Sequence, residues 1–480
     1  MRRDGIPWDA MPKTFQDAIT VCQRLGVHYL WIDSLCIVQD DEQDWRVESA
    51  ATASIYENFC FTITAATAWT DEEGFLKERP KCHLSRDVIM GISCRERIRH
   101  ESNNDWEPIW SRAWCFQERL VPRRLLTFRH SEVTWECRSA SWCECGRNET
   151  YDNCPDRRTY ERNIMNPFVS HSHRIEYWYT SIVEQFTTMS LSFEKDRLPA
   201  ILAMATQILD RSEDRCLAGI WEADMLPGLL WRCFGRTGID STGNETIFFP
   251  MSKIGTELQA PSWSWASVEG PITYSLIRES SQRTFDAEIL AVDYPNVYND
   301  SRYIIGSSCS LLLRGRLMTV MLDLPDRLLL RGSSTAIQPH CRLQFSLFGD
   351  TPQVESNIAI PMYDVFYRGH HPIQPGCHCG LNHETVVFWP DAQLTLAQGH
   401  GAKEYLEKRV WPTESVTPGR FEVQCILLYT DSQGCWGGIL VQRSRQNEGS
   451  YERLGLVEFY STHPAFDSIA DIEIDEMYLI

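Results

Sequence analysis

The 480-residue chain lacks an excess of basic residues: 65 acidic residues stand against 46 basic ones, for a formal net charge of −19. Nucleic-acid binders present a basic face to phosphates, so this balance argues against a nucleic-acid partner. No apolar run approaches the length of about 18 residues that a membrane span needs, and the opening MRRDGIP is not followed by an apolar segment. We therefore expect a cytoplasmic protein with no membrane partner.

The chain also lacks the short motifs of several large enzyme classes. GxSxG, GxxxxGK[ST], HExxH, the protein-kinase signatures and the glycine fingerprint of dinucleotide-binding folds are all absent. Their absence argues against a serine hydrolase, a P-loop NTPase, a zincin protease and a protein kinase. We expect no bound cofactor.

Cysteine, in contrast, is abundant, with 18 residues. A disulfide-bonded secreted protein and a reduced intracellular protein are the two alternatives. Because no apolar segment follows the opening residues, we expect no secretory leader, and most cysteines, among them Cys22 and Cys425, have apolar neighbours in the sequence. Both observations favour reduced thiols that pack as small apolar side chains.

The length predicts more than one domain, and the patterning changes twice along the chain. Residues 1–155 read as an α/β domain with a parallel sheet, 156–260 as a helical region, and 261–480 as an antiparallel β domain. In the first part, a helix (12–26), a strand (28–32), a helix (44–57) and a strand (60–66) alternate, which predicts parallel pairing of the strands.

Further elements are predicted from periodicity and turn residues. They are a helix over 110–120, strands over 124–128 and 132–136, a linker or long loop over 155–167, helices over 174–231, and β-rich runs at 287–293, 309–321, 341–348, 363–367, 385–389, 421–429, 437–442 and 453–460.

Two stretches carry candidate functional side chains. Asp33 follows the predicted strand 28–32, at the kind of strand end where α/β sheets place ligands, although such acids also cap turns. Trp114 and Glu118 lie four apart on the predicted helix and so share a face. A carboxylate beside a tryptophan can be desolvated and serve acid–base or electrostatic chemistry, whereas a surface glutamate paired with Arg119 or Arg123 is the structural alternative.

Two thiol clusters are candidate metal sites. Cys137, Cys143, Cys145 and Cys154 are separated by five, one and eight residues, which is not the paired CxxC spacing of structural zinc sites. The second cluster, Cys377-His378-Cys379 with His370, His371 and His383 nearby, is typical of a surface loop. We expect no metal site.

The ordered runs MPKTFQDAI (11–19), YLWIDSLCIVQDD (29–41) and RAWCFQERL (112–120) resemble the fungal heterokaryon-incompatibility (HET) domain. The resemblance continues in LAGIW (217–221), LLW (229–231) and APSWSWA (260–266), stretches that follow the domain in similar proteins. The family implies a role in fungal non-self recognition and programmed cell death signalling, through protein partners or self-association.

HET domains are remotely similar to TIR domains, flavodoxin-like modules of which some cleave NAD with a helix-borne glutamate. Trp114-Cys115-x-x-Glu118 looks like the corresponding TIR pattern. The resemblance implies that Glu118 is the catalytic residue, that Asp33, Trp114 and Gln117 bind the substrate, and that NAD is that substrate.

One departure from the family pattern concerns the start of the domain. The opening strand block of HET domains, with Leu-Ser and Trp-Gly, is not found ahead of the first predicted helix. The resemblance therefore implies a sheet lacking its first strand. A non-catalytic interaction module, or a degenerate inactive copy, is the alternative to an NAD-hydrolysing enzyme.

Overall fold

The fold is given by a computed structural model. It describes residues 5–38, 40–79, 86–89, 92–94, 107–146, 157–233, 236–239, 245–248, 260–278, 283–294, 302–304, 309–324, 342–345, 384–391, 393–398, 404–409, 419–432, 434–444, 447–461 and 472–480. The chain divides into an N-terminal unit, Met1–Glu213, and a C-terminal unit, Asp214–Ile480. The predicted domain limits at 155 and 260 stay a prediction.

The N-terminal unit combines helices with short strands. Its α-helices are α1 (Lys13–Arg24), α2 (Asp33–Cys36), α3 (Glu42–Asn58), α4 (Ala113–Leu120), α5 (Arg157–Tyr160), α6 (His171–Tyr177), α7 (Glu184–Phe186) and α8 (Leu202–Leu209). Its strands are β1 (Thr62–Ala65), β2 (Arg86–Ile89), β3 (Ile92–Cys94), β4 (Arg124–Phe128), β5 (Val133–Cys137) and β6 (Ser141–Cys143). Turns of 3₁₀ helix cover Trp8–Ala10, Pro108–Ser111, Glu194–Asp196 and Pro199–Ile201, and π-helical turns cover Glu161–Met165 and Trp178–Val183.

The sheet of this unit is mixed. Its strands follow the order β1-β4-β5-β6, with β1 and β4 parallel and the other neighbours antiparallel. The predicted helices over 12–26 and 44–57 and the predicted strands over 60–66, 124–128 and 132–136 are confirmed within a few residues at each end. An N-terminal α/β arrangement with parallel pairing is therefore present.

Helix α1 is held against the sheet by its apolar stripe and by one buried carboxylate. Ala18 and Val21 pack with Phe75, whose ring lies 4.7 Å from that of Phe128 on β4. Asp17, which is 2% exposed, accepts hydrogen bonds from the backbone N–H groups of Phe75 (2.8 Å) and Leu76 (3.0 Å). Although burial raises the pKa of Asp17, its hydrogen bonds outweigh this effect and hold the pKa below the ordinary value.

The predicted buried strand over residues 28–32 is wrong. This segment is irregular and leads directly into α2, and Tyr29 is 92% exposed. A strand needs a neighbour for its backbone groups, and the described partner of β1 is β4. The apolar run is therefore a partly exposed connection, and Asp33 begins a short helix instead of ending a strand.

The predicted loop over residues 155–167 is also wrong in its described part. Residues 157–165 form α5 and the π-helical turn that follows it. Tyr160 and Ile164 lie four residues apart and are 1% and 0% exposed, so a helical apolar stripe is present. This helix belongs to a layer that supports α4: Gln207 on α8 accepts a 2.7 Å hydrogen bond from the Tyr160 hydroxyl, and α8 packs against α3.

The C-terminal unit is rich in strands. They are β7 (Cys216–Leu217), β8 (Ile220–Trp221), β9 (Arg232–Cys233), β10 (Arg236–Ile239), β11 (Glu245–Phe248), β12 (Ile272–Thr273), β13 (Arg283–Phe285), β14 (Glu288–Asp293), β15 (Tyr303–Ile304), β16 (Ser310–Leu324), β17 (Arg342–Phe345), β18 (Glu384–Pro390), β19 (Gln393–Gln398), β20 (Glu404–Arg409), β21 (Gly419–Asp431), β22 (Trp436–Arg443), β23 (Ser450–Ser461) and β24 (Ile474–Leu479). The helices are α9 (Met225–Gly228) and α10 (Ser275–Arg278), with 3₁₀ turns at Glu222–Asp224 and Trp265–Ser267.

The main sheet runs in the order β13-β21-β22-β23-β24-β16-β14, with β17 on β16 and β18 on β23. Its pairs are antiparallel except β23–β24, which confirms the predicted antiparallel-rich C-terminal region. The predicted run at 363–367 lies outside the described residues.

The prediction of helices through residue 231 extends too far, because β7 and β8 form a tight hairpin within it. Ala218 and Gly219, at the turn, have φ angles of +48° and +86°, the left-handed pair that a two-residue hairpin needs. A Cβ on Gly219 would lie 2.7 Å from Nε1 of Trp265, so glycine is also required by close packing.

A fully buried ion pair lies within the C-terminal unit. Arg453 and Asp391 are both 0% exposed, and Nε of Arg453 donates a 3.0 Å hydrogen bond to Oδ2 of Asp391. The remaining guanidinium nitrogens donate to the carbonyls of Leu229 (2.6 Å) and Trp231 (2.7 Å), and the guanidinium lies 3.7 Å from the Trp231 ring centroid. One cation thus joins three chain segments.

Two properties concern the described residues as a whole. Their cysteines are not joined by disulfides, which is consistent with the expected reduced thiols. In the described ranges, no helix combines the length and apolar character of a membrane span.

Candidate functional site at Glu118

Helix α4, which is mostly buried, carries Glu118. Cys115, Phe116 and Gln117 are buried, whereas Trp114 and Glu118, four residues apart, are only partly buried and share the face predicted from their spacing. The start of the helix is fixed by the amide of Ala113, which donates a 3.0 Å hydrogen bond to the carbonyl of Ser190. The carboxylate therefore stands on a rigid support.

Two hydrogen-bond donors meet the carboxylate of Glu118. The hydroxyl of Tyr56, on α3, donates to it, and so does the thiol of Cys115, one helical turn earlier on α4. Two charges also act on Glu118: the carboxylate of Asp33 and the guanidinium of Arg112. The groups that act on Glu118 thus come from α2, α3 and α4 and from Arg112, which directly precedes α4.

The pKa of Glu118 is raised from its ordinary 4.5 to about 7. Burial is the largest cause, because it penalises the charged carboxylate, and repulsion by the carboxylate of Asp33 adds to it. Arg112 and the hydrogen bonds from Cys115 and Tyr56 act in the opposite direction without cancelling the increase. At neutral pH the carboxyl is therefore close to half ionised.

Both donors stay protonated at neutral pH. Burial, with the negative charge of Glu118 as the next cause, raises the pKa of the Tyr56 hydroxyl and of the Cys115 thiol well above their ordinary values. Cys115 is consequently a hydrogen-bond donor in this site and not a thiolate nucleophile.

An aromatic cluster surrounds the Tyr56 side of the site. The Trp31 ring lies 5.8 Å from that of Tyr56, in edge-to-face geometry, and 6.0 Å from that of Phe59. Tyr56 and Phe59 are 5.8 Å apart. Trp31 comes from the irregular segment that precedes Asp33, so the cluster fixes that segment to α3.

The predicted site residues are distributed unevenly around Glu118. Asp33 lies close enough to affect its pKa, and the amide of Ser34 donates a 2.7 Å hydrogen bond to Oδ1 of Asp33. Trp114 donates its indole N–H to Oδ2 of Asp196 at 3.2 Å. Gln117 is 1% exposed and its Oε1 accepts the amide of Ala203 at 3.3 Å. Thus Asp33 lies with Glu118, while Trp114 and Gln117 join α4 to the helical layer behind it.

Tyr56 and Arg112 are site residues that receive no role from sequence reasoning. Arg112 lies six residues before Glu118 and Tyr56 lies 62 before it, so neither spacing shows that the residue acts on Glu118. For Cys115, the three-residue separation on a helix is a usable signal. The structural alternative, a surface ion pair between Glu118 and Arg119, does not fit the position of Arg119. This residue is 6% exposed, and its guanidinium lies 4.5 Å from the Trp110 ring centroid.

This arrangement suits the stabilisation of a positive charge that forms during a reaction. The carboxylate of Asp33 acts electrostatically on that of Glu118, and burial holds Glu118 in surroundings where electrostatic interactions are strong. The neutral donors Tyr56 and Cys115 orient the carboxylate of Glu118 without neutralising it.

The comparison with protein families concerns the part of the chain that contains this site. Residues 2–118 match the family model "Heterokaryon incompatibility protein (HET)", a range that includes Asp33, Tyr56, Arg112, Cys115 and Glu118. No curated protein and no solved structure shows significant similarity to the chain. The chain therefore carries a heterokaryon-incompatibility (HET) domain over residues 2–118, and this domain supports a function of the heterokaryon-incompatibility type in general.

Proposed function

We propose that this protein acts in fungal non-self recognition as a cytoplasmic cell-death effector, and that its HET domain hydrolyses NAD with Glu118 as the catalytic residue. The observation that carries the enzymatic part is the environment of Glu118: a partly buried carboxylate beside Asp33, oriented by Tyr56 and Cys115, with a pKa of about 7. Such perturbed carboxylates are concentrated at catalytic sites.

The reaction consists of one bond cleavage and one addition of water. The bond between C1′ of the ribose and the nicotinamide nitrogen breaks, and its electron pair leaves with nicotinamide, which becomes neutral. The positive charge that develops on the ribose is stabilised by the ionised Glu118, as carboxylates do in glycoside cleavage. Water then adds to C1′ and releases a proton, giving ADP-ribose.

The proposed roles of the neighbouring residues follow from their positions. Asp33, exposed at the start of α2, adds negative charge near Glu118 and binds substrate together with Trp114, which is only partly buried. The family resemblance implies substrate binding for Gln117 as well, but its burial and its hydrogen bond from the amide of Ala203 suit a residue that holds α4 in place. A flavodoxin-like or TIR-like fold of the domain is part of the same proposal. It is supported by the parallel pair β1–β4 and by the Trp114-Cys115-x-x-Glu118 pattern on α4.

A second candidate function is a non-catalytic interaction module, with protein partners or a second copy of the chain. Exposed apolar side chains near α2 favour it: Tyr29 is 92% exposed, Leu30 37% and Val38 47%. Isolated exposed apolar residues are common, but three of them flank one short segment. On this alternative, the environment of Glu118 serves structure only.

Expression in a fungal cell separates the two functions. We expect the wild-type chain to arrest growth and to lower cellular NAD, and Glu118→Gln to do neither at equal protein abundance. If both proteins arrest growth without a loss of NAD, the enzymatic proposal is wrong and the interaction module is favoured. Tyr29→Ser, which leaves Glu118 and its contacts in place, is the matched variant for the second function.

A further inference from the structure

The β5–β6 hairpin brings together three metal-ligating side chains that are separated in the sequence. Glu132 precedes β5, Cys143 ends β6, and Cys145 lies in the turn that follows. One ligand atom from each residue, a carboxylate oxygen and two Sγ atoms, lies within 4.8 Å of both others. The two Sγ atoms are 3.0 Å apart.

The backbone of the hairpin holds these residues in place. Strand pairing sets Thr134 opposite Cys143, and the amide of Gly146 donates a 2.9 Å hydrogen bond to the Cys143 carbonyl, which closes the turn. The amide of Cys145 donates a 2.9 Å hydrogen bond to Oε2 of Glu132. The backbone of the hairpin and the carboxylate of Glu132 are therefore held by contacts that do not depend on a bound ion.

We propose that Glu132, Cys143 and Cys145 form a three-ligand site for Zn²⁺, with water as the fourth ligand. Two thiolates and one carboxylate are a donor set for a borderline-soft ion, whereas Mg²⁺ and Ca²⁺ prefer oxygen ligands only. In a tetrahedral zinc site the sulfur atoms lie about 3.8 Å apart and sulfur and oxygen about 3.5 Å apart. The two Sγ atoms, 3.0 Å apart, would move apart by roughly 0.8 Å, and the Glu132 oxygen, within 4.8 Å of both, would move closer to them by at most about 1.3 Å.

Binding is coupled to proton release and to the stability of the hairpin. Zn²⁺ binds thiolates, so both thiols lose their protons to solvent as the two Zn–S bonds form. Glu132 is 0% exposed and both thiols are only partly exposed, so the ion lies at the base of the hairpin and not on an open surface. The ion would join the start of β5 to the end of β6, at the edge of the sheet that carries β4.

The test measures the metal content of the full-length chain, purified under reducing conditions in the presence of Zn²⁺ and then dialysed. We expect about one zinc per chain in the wild type and in Cys137→Ser, the control on the same hairpin, because Cys137 contacts Ser139 and not the cluster. We expect less than about 0.1 zinc per chain in the double variant Cys143→Ser/Cys145→Ser. Glu132→Gln is expected to weaken zinc binding at least about tenfold.

A second measurement uses the wild-type chain alone, so it does not depend on whether the double variant folds. Titration of the wild-type chain with Co²⁺ should give the intense thiolate-to-metal absorption of a tetrahedral site, and Zn²⁺ should abolish it. Wild-type protein that binds neither ion while its thiols are reduced would overturn the proposal. So would equal zinc content in the double variant, or a stable Cys143–Cys145 disulfide that persists under reducing conditions.

Discussion

Replacement of Glu118 by glutamine should stabilise the folded chain at neutral pH, although it removes the proposed catalytic carboxylate. A pKa of about 7 in place of the ordinary 4.5 means that the folded protein holds the carboxyl proton more tightly than the unfolded chain does. At about 1.4 kcal/mol per pKa unit, the ionised carboxylate lowers the free energy of unfolding by about 3 kcal/mol.

The difference in the pKa of Glu118 between the folded and the unfolded chain determines which protein is more stable and over which pH range. Below pH 4.5 the carboxyl is protonated in both states, so the wild-type chain and the Glu118→Gln variant should be equally stable. Between pH 4.5 and 7 the carboxyl of Glu118 is ionised in the unfolded chain but still largely protonated in the folded one. The wild-type chain therefore loses stability progressively as the pH rises through this range. Above pH 7 the Glu118→Gln variant should be more stable than wild type by up to about 3 kcal/mol. Its amide oxygen can still accept from Tyr56 and Cys115.

The assay is urea denaturation of the full-length chain at pH 4.5, 6 and 8, with Glu72→Gln as the control for loss of an exposed carboxylate in the same unit. The difference in unfolding free energy between wild type and Glu118→Gln should grow with pH, while the control stays within about 0.5 kcal/mol of wild type. A glutamine variant that is less stable than wild type at pH 8, or a difference independent of pH, would refute the reasoning.

Three further predictions concern the site and the C-terminal unit. The rate of NAD cleavage, as kcat/KM, should rise about tenfold per pH unit below pH 7 and level off above it, as Glu118 ionises; a flat profile over pH 5–8 would contradict the assignment. Tyr56→Phe removes a hydrogen bond that lowers the pKa of Glu118, so the same profile should move to higher pH, and an unchanged midpoint would show that this hydrogen bond does not act on Glu118. Arg453→Met leaves the buried carboxylate of Asp391 without its cation and should cost about 3–5 kcal/mol in thermal denaturation, with partial recovery in Arg453→Met/Asp391→Asn; additive losses would exclude the coupling.

Regular periodicity allowed much of the fold to be predicted. Helix α1 and strand β4 agree with sequence patterns because α1 buries an apolar stripe and β4 buries alternate residues. Helix α3 and strand β5 also lie where the sequence predicts a helix and a strand. The run at 28–32 has the composition of a buried strand, yet it has no described partner strand and leaves Tyr29 exposed. Composition reports that a segment can be a strand, whereas pairing decides whether it becomes one.

The site was predictable only in part. The shared face of Trp114 and Glu118 follows from helical spacing, and the choice of Glu118 followed from the family resemblance. The contact of Tyr56 with Glu118 and the grouping of Glu132 with two thiols depend on how α3 packs against α4 and how the β5–β6 hairpin closes. Such contacts arise from tertiary structure and leave no fixed spacing in the sequence.

The central claim is that Glu118 makes the HET domain an NAD-cleaving enzyme, and release of nicotinamide from NAD by the purified full-length chain tests it most directly. We expect nicotinamide and ADP-ribose in equal amounts from wild type and from the control Glu72→Gln, and a rate at least about 100-fold lower from Glu118→Gln, whose folding is verified by its denaturation curve. Equal turnover by wild type and Glu118→Gln, or none by wild type at pH 8, would contradict the claim.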